Sequence, residues 1–333
     1  MSVDKIINDW KNGSFKPVYW LEGEEDYFID KVVSYAEQKI LPASEASFNL
    51  TIFYGKDANW ADILNACRRY PMFAEKQVVI LKEAQQMRDI EKLEPYFENP
   101  LSSTVFVVSY KEKKLDARKK MARFIKEKGE LLTIKKISER ELPEWTSLLI
   151  RGKGLSINPK GLALLVDHIG NDLSRIENEI EKITVNLGQR TVINEDDIEK
   201  YIGVSKEFNA FELQQAIANR DLAKSLRIVQ YFESNPKAGP IQMVLPALYS
   251  YFSKVYMVFG SPSRDEKTLA ENLGVPPFFV KDYVRTATTF NFEGVEKVLL
   301  LLHQYNLKSI GIGSTNATSN GSLLKEMLVK ILG

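Results

Sequence analysis

Pro17-Val18-Tyr19-Trp20-Leu21-Glu22-Gly23-Glu24-Glu25-Asp26-Tyr27 is the stretch on which the reading of this chain turns. The apolar run 17–21 predicts a short strand and Glu22-Gly23 a turn. A helix follows over 26–39, where Phe28, Val32, Tyr35, Ala36 and Lys39 recur at three-to-four spacing. Strand, turn and helix in that order mark the place where a nucleotide-binding α/β protein keeps its phosphate loop. Such a loop needs glycines for close backbone approach, a lysine, and a Ser or Thr for magnesium. This turn has one glycine, no lysine and four carboxylates. Like charges about 4 Å apart repel by roughly 4 kcal/mol at an effective dielectric of 20. The pattern G-x-x-x-x-G-K-[ST] occurs nowhere in the chain, and Gly152-Lys153-Gly154 sits between helices. The shape is that of an NTPase domain without its chemistry; an α/β domain unrelated to NTPases fits these residues too.

Further short apolar runs follow at 50–54, 77–81, 104–109 and 131–137, with a helical pattern at 59–69 carrying Trp60, Ile63, Leu64 and Cys67. Nearly continuous apolar strands alternating with helices predict a parallel sheet covered on both faces. After residue 137 the strand signal stops. Helices are expected at 142–150, 159–169, 173–187 and 195–202, with Asn158-Pro159 and Asn194 as start signals. From 205 longer amphipathic helices are expected at 209–219, 221–234, 241–260, 267–273, 277–287, 291–307 and 322–332. Asn235-Pro236 and Ser261-Pro262-Ser263 are breaks, and 314–322 is a polar loop. The domain reading is therefore 1–137 α/β, 138–204 a small helical lid, and 205–333 an all-helical C-terminal domain.

Composition narrows the function. The 333 residues carry 45 Lys+Arg against 44 Asp+Glu, a net charge of +1, which gives no global attraction to nucleic acid. A length of 333 suggests two or three domains. With 44% hydrophobic and 27% charged residues the chain can build cores. One cysteine excludes a disulfide framework and a Cys-based zinc site, and two histidines far apart, His168 and His303, argue against a His-rich metal site. His168 reads as a packed or surface residue, His303 as core-adjacent, Cys67 as a small buried hydrophobe, and Arg175, Glu177, Glu179, Glu181 and Lys182 as a solvated helix face. No nucleophile elbow or carboxylate metal cluster stands out, so no catalytic residue, cofactor or metal is expected. No apolar run approaches the roughly 20 residues that span a bilayer, and Met1-Ser2-Val3-Asp4-Lys5 lacks a secretion pattern. The expectation is a cytoplasmic protein without membrane contact, in which Asn316-Ala317-Thr318 is a chance match to a glycosylation site.

Two segments do carry chemistry. Tyr70-Pro71-Met72-Phe73-Ala74 joins the helix at 59–69 to the strand at 77–81. Burying Met72 and Phe73 yields about 1.5–3 kcal/mol each. The pair either tucks onto its own sheet or projects as an interface anchor; the residues allow both. The run 111–140 holds 12 Lys/Arg against 5 Asp/Glu, densest at Lys113, Lys114, Arg118, Lys119 and Lys120. It reads either as a phosphate-contacting patch or as a solvated face.

Together these residues resemble the delta subunit of the bacterial DNA polymerase III clamp loader. The marks are residues 19–25 (YWLEGEE), Pro71-Met72-Phe73 before the strand at 78–81, and residues 114–120 (KLDARKK). Gly170-Asn171-Asp172-Leu173 with residues 177–182, and residues 208–213 (FNAFEL), complete them. The resemblance implies an N-terminal AAA+/RecA-like parallel-sheet domain without a nucleotide site, a lid, and a collar. It implies a five-membered ring with ATPase and delta-prime-type subunits, and contact with primed DNA through the assembled complex. It implies that Pro71, Met72 and Phe73 bind the sliding clamp and help open it. Met72 stands where leucine is usual, a mild swap because volume is kept. The chain would be a non-catalytic subunit of a DNA-directed DNA polymerase holoenzyme, a nucleotidyltransferase only as an assembly. The rival expectations are an active AAA+ ATPase with a degenerate phosphate loop and a DNA-binding replication or repair scaffold using residues 111–140.

Overall fold

The computed structural model describes residues 3–205, 207–261, 265–313 and 319–333, and the chain divides into two compact units, Met1–Ile137 and Ser138–Gly333. In the first, the elements run α1 (Val3–Lys11), β1 (Val18–Gly23), α2 (Asp26–Lys39), α3 (Ala43–Asn49), β2 (Leu50–Tyr54), α4 (Trp60–Arg68) and β3 (Gln77–Lys82). Two 3₁₀ turns, α5 (Glu94–Glu98), β4 (Thr104–Lys111), α6 (Lys120–Lys128) and β5 (Glu130–Ile134) follow. The five strands form one parallel sheet in the order β2-β3-β4-β1-β5.

Alternation explains why both faces are covered. Val18 and Trp20 of β1 point to the side packed by α4, α5 and α6. Tyr19 and Leu21 point to the side packed by α1 and α2. The first core is aromatic: the Trp20 ring meets Phe97 edge-on at 5.9 Å, and Phe97 stacks on Phe106 at 5.9 Å. Such pairs add about 0.5–1.5 kcal/mol each beyond burial. The parallel sheet covered by helices on both faces that the sequence leads one to expect is present, with differences at its margins. β2 is an edge strand and only half-buried, because nothing pairs its outer side. β5 ends at Ile134, where its pairing with β1 runs out, so Lys135 and Lys136 lie beyond the sheet. α2 buries Tyr27, Ile29, Val32, Val33 and Ala36, one residue round from the expected stripe. Helices α1, α3, α5 and α6 are not among the elements expected from the sequence, although α1 buries Ile6, Ile7 and Trp10 on one face and α6 Met121, Ala122 and Ile125.

In the second unit, α7 (Leu142–Gly152), α8 (Pro159–Ile169), α9 (Leu173–Asn186) and α10 (Glu195–Ile202) come first. Asn158 accepts from Gly161 N–H at 2.7 Å and caps α8; Asn194 and Asp197 form a reciprocal capping box on α10. Two strands do occur past residue 137: β6 (Ser156–Ile157) and β7 (Val192–Ile193) make a two-residue parallel ladder, too short to show periodicity. Then come α11 (Ala210–Ala218), α12 (Leu222–Ser234), α13 (Ile241–Gly260), α14 (Glu266–Leu273), α15 (Pro277–Ser309) and α16 (Asn320–Leu332). All but α14 share a core that includes Leu213, Phe232, Leu248, Phe252, Phe290, Leu302 and Met327, while α14 packs Leu269 and Ala270 against Val280 of α15 in a small cluster of its own. The two helices expected at 277–287 and 291–307 are both present within α15: Asn291, at the non-helical φ 55° and ψ 177°, separates them, and its side chain accepts from Gly294 N–H and caps the second. His303 lies on the exposed side of this helix rather than beside the core. Residues 262, 263 and 314–318, on which part of an expected break and loop fall, lie outside the described residues.

Candidate protein-docking site

The loop between α4 and β3 is anchored at its base. Pro71 cannot continue a helix, and a residue before proline prefers extended backbone; Arg69 and Tyr70 accordingly lead away from α4. Gln77, buried at the start of β3, donates to the Ala66 carbonyl at 3.0 Å, to the Arg69 carbonyl and to Thr104 Oγ1 at 2.8 Å. Thr104 Oγ1 in turn donates to the Cys67 carbonyl at 2.8 Å. The orphan carbonyls at the end of α4 thus find partners in the neighbouring strands. Burial pushes the Cys67 thiol well above its ordinary value, so it is a neutral packing residue.

The loop's apex faces outward. Phe73 is 97% exposed, Met72 47% and Tyr70 73%, while Pro71 is half-buried. Phe73 sits at φ 55°, a conformation that costs an L-residue roughly 1–2 kcal/mol. Asn49, the last residue of α3, meets Met72 with its side chain, and Arg69 Nη2 donates to the Phe48 carbonyl at 3.2 Å. Phe48, 57% exposed, thereby joins the neighbourhood of the tip. Neither Asn49 nor Phe48 was legible as a site residue: each lies more than 20 positions from the loop it serves, with no pattern linking the two.

The turn after β1 is occupied by its own side chains. Gly23 adopts φ 129°, and a Cβ there would collide with the Ile134 carbonyl. Glu24 N–H, which a phosphate would need, is donated to that carbonyl at 3.0 Å. Glu22 is buried and accepts from Thr133 Oγ1 and Leu115 N–H, both at 2.8 Å. Glu24 pairs with Lys114 at 2.9 Å, which holds its carboxyl below the usual range. Glu25 is buried, and that burial pushes its carboxyl up. Asp26, also raised by burial, faces Lys111 across 4.0 Å.

The expected basic patch is dispersed among local acceptors. Lys113 donates to the Gln85 carbonyl at 3.2 Å, Lys114 pairs with Glu24, and Arg118 grips Asp116 through Nε and Nη2 at 3.0 and 2.9 Å. Lys119 reaches Glu91 at 3.3 Å, and Lys120 opens α6 on the surface. Among the described residues no group of three or more His, Cys, Asp or Glu is arranged to hold a metal ion.

Comparison with known proteins bears out the likeness read from the residues. The family described as DNA polymerase III, delta subunit, matches residues 19–135, most of the first unit. The chain is 28% identical over 321 residues to DNA polymerase III subunit delta of Bacillus subtilis, covering 91% of this chain and 92% of that one. It is 22% identical over 278 residues to the probable DNA polymerase III subunit delta of Aquifex aeolicus, covering 79% and 77%. The solved structure of the Bacillus subtilis DNA clamp loader delta protein superposes with a TM-score of 0.55 at 26% identity, over 99% of each chain.

Proposed function

We propose that this chain, a relative of the DNA polymerase III delta subunits along nearly its whole length, is the subunit of a clamp loader that grips the sliding clamp and helps open it. The observation that carries the reading is the tip: an aromatic ring almost wholly in water, beside a half-exposed methionine, on a loop fixed at both ends. Exposed anchors of this kind are the residues on which protein interfaces concentrate their energy. Pro71 sets the exit from α4, and Met72 and Phe73 enter an apolar pocket on the clamp.

Opening follows from differential binding. A ligand shifts an equilibrium only by its difference in affinity for the two states. A tip seated on one clamp subunit, with the neighbouring helix pressing beside it, favours a clamp shape the closed ring cannot take. The contacts it must offset are those of a single clamp interface. The turn after β1 offers carboxylates and a spent N–H where a nucleotide would need cations and free donors, which supports a subunit that does not itself hydrolyse ATP. ATP then acts through partner subunits. In this reading residues 138–204 are a lid and 205–333 a collar in a five-membered ring with ATPase and delta-prime-type subunits. Primed DNA is met through the assembled complex, in the cytoplasm. No helix among the described residues is long and apolar enough to cross a membrane.

The test is retention of the full chain by an immobilised bacterial sliding clamp, without nucleotide. The wild-type chain is expected to be retained and the double variant Met72→Ala plus Phe73→Ala to be lost. Equal retention of both refutes the assignment.

A further inference from the structure

Asn49 is 1% exposed, yet its carboxamide belongs to the docking tip rather than to the sheet it precedes. Asn49 Oδ1 accepts the Met72 N–H at 2.7 Å, and Asn49 Nδ2 donates to the Met72 carbonyl at 2.9 Å. The second Nδ2 hydrogen goes to the Glu45 carbonyl at 3.2 Å, within α3. One side chain therefore pairs with both polar groups of a single residue, as a neighbouring strand does in a hydrogen-bonded antiparallel pair. A residue exposes N–H and C=O to the same side only when its backbone is extended. The pairing thus selects an extended Met72, after which the chain turns through the positive φ of Phe73.

We infer that Asn49 is the positioning residue of this site, whose buried carboxamide holds Met72 extended and presents Met72 and Phe73 in docking shape before any partner arrives. The inference rests on the reading of the tip as a clamp anchor. Its physical content is pre-organisation: a loop already ordered in the free chain loses less freedom on binding than a mobile one. The geometry is specific to a primary amide at this length. Leucine fills nearly the same volume with no polar atom, so Asn49→Leu deletes the two bonds to Met72 while keeping the packing of α3.

The experiment compares the full-length wild-type chain, Asn49→Leu, and Met72→Ala plus Phe73→Ala. It measures affinity for a purified bacterial sliding clamp and amide hydrogen exchange in the clamp-free chain. Asn49→Leu is expected to weaken clamp binding about tenfold, or 1.4 kcal/mol. The Met72 amide should then exchange as an exposed loop amide does, with the amides of residues 78–81 as protected as in wild type. Wild-type affinity for Asn49→Leu, or a Met72 amide that keeps its protection, overturns the inference. Loss of protection in residues 78–81 overturns it too, since Asn49 would then act through the core. If Asn49→Leu and the tip double variant both bind as wild type, the docking reading itself falls. If only the double variant loses binding, that reading stands and the role of Asn49 alone is refuted.

Discussion

The Lys111 ammonium, at the end of β4, lies 2.8 Å from a carboxylate oxygen of Asp30 on α2. It also reaches Glu83 at 3.1 Å and Asp26 at 4.0 Å. Burial alone would lower its pKa, but the contacts with Asp30 and Glu83 outweigh that and hold it above the ordinary lysine value. A lysine does stand near the turn after β1, then, but it is spent on the protein's own carboxylates.

Lys111→Ala is accordingly expected to destabilise the first unit by about 1–2 kcal/mol at pH 7, because its partners are partly exposed and solvent screens the pairs. A raised folded-state pKa makes this contribution fully present below the unfolded value of about 10.4 and lost as pH rises through the folded one. Urea melts of wild type and variant should therefore converge at strongly alkaline pH. A gap that widened there would contradict the assignment.

The capping box on α10 gives the opposite pH dependence. Burial pushes the Asp197 carboxyl up, but Arg190 at 2.6 and 3.1 Å and the Asn194 N–H at 3.0 Å pull it down further, leaving it below its usual value. The stability it contributes is present above about pH 3.9 and lost as pH falls through the depressed folded value. Asp197→Ala leaves the Asn194 cap in place but removes the carboxylate half of the box, unpairing the half-buried Asn194 N–H and the Arg190 guanidinium, a loss of about 1–2 kcal/mol. Hydrogen exchange of the α10 amides in the full chain measures it at pH 7, and the difference from wild type should shrink in acid.

How far the sequence could be read follows from the range of each signal. Strands β1, β3 and β4 are legible because both faces are buried, so their central residues are apolar and only their ends carry hydrogen-bonded polar groups such as Glu22, Gln77 and Thr104. Helices α8 and α10 are legible to the residue because Asn158-Pro159 and Asn194 mark their starts, and α13 matches the expected 241–260. α6 hides inside a charge-dense run, since Met121, Ala122 and Ile125 are all it buries. The interruption of α15 at Asn291 is legible because an asparagine there can leave the helical backbone and cap the next helix. At the tip, the apolar pair shows in the sequence while its support does not: Asn49 meets Met72 across 23 positions, and nothing local encodes that pairing.

The local pairing of the basic residues predicts weak DNA binding by the isolated chain. Engagement of Lys113, Lys114, Arg118, Lys119 and Lys120 together would give a log K against log salt slope near −4.5, at about −0.9 per phosphate contact. With Lys114 and Lys119 held by Glu24 and Glu91 and Arg118 by Asp116, a slope of about −1 to −2 is expected for a primed duplex. Glu24→Gln plus Glu91→Gln frees two cations and should steepen the slope by about 2. Fluorescence anisotropy across a salt series reads both values, and a steep wild-type slope would restore the DNA-scaffold reading.

Phe73→Gly separates docking from folding. Glycine adopts φ near 55° freely, so the substitution removes backbone strain of roughly 1–2 kcal/mol as it removes the ring. The ring touches little of its own domain, being 97% exposed, so no cavity forms. The variant should melt at or slightly above the wild-type temperature. Its affinity for a bacterial sliding clamp should nonetheless fall by about 30-fold or more, the loss typical of an aromatic anchor. A core residue would show the reverse, with stability lost and binding falling only as far as unfolding explains. Calorimetry on the variant, run beside clamp titrations on the same preparation, distinguishes the two, and unchanged affinity would remove Phe73 from the interface.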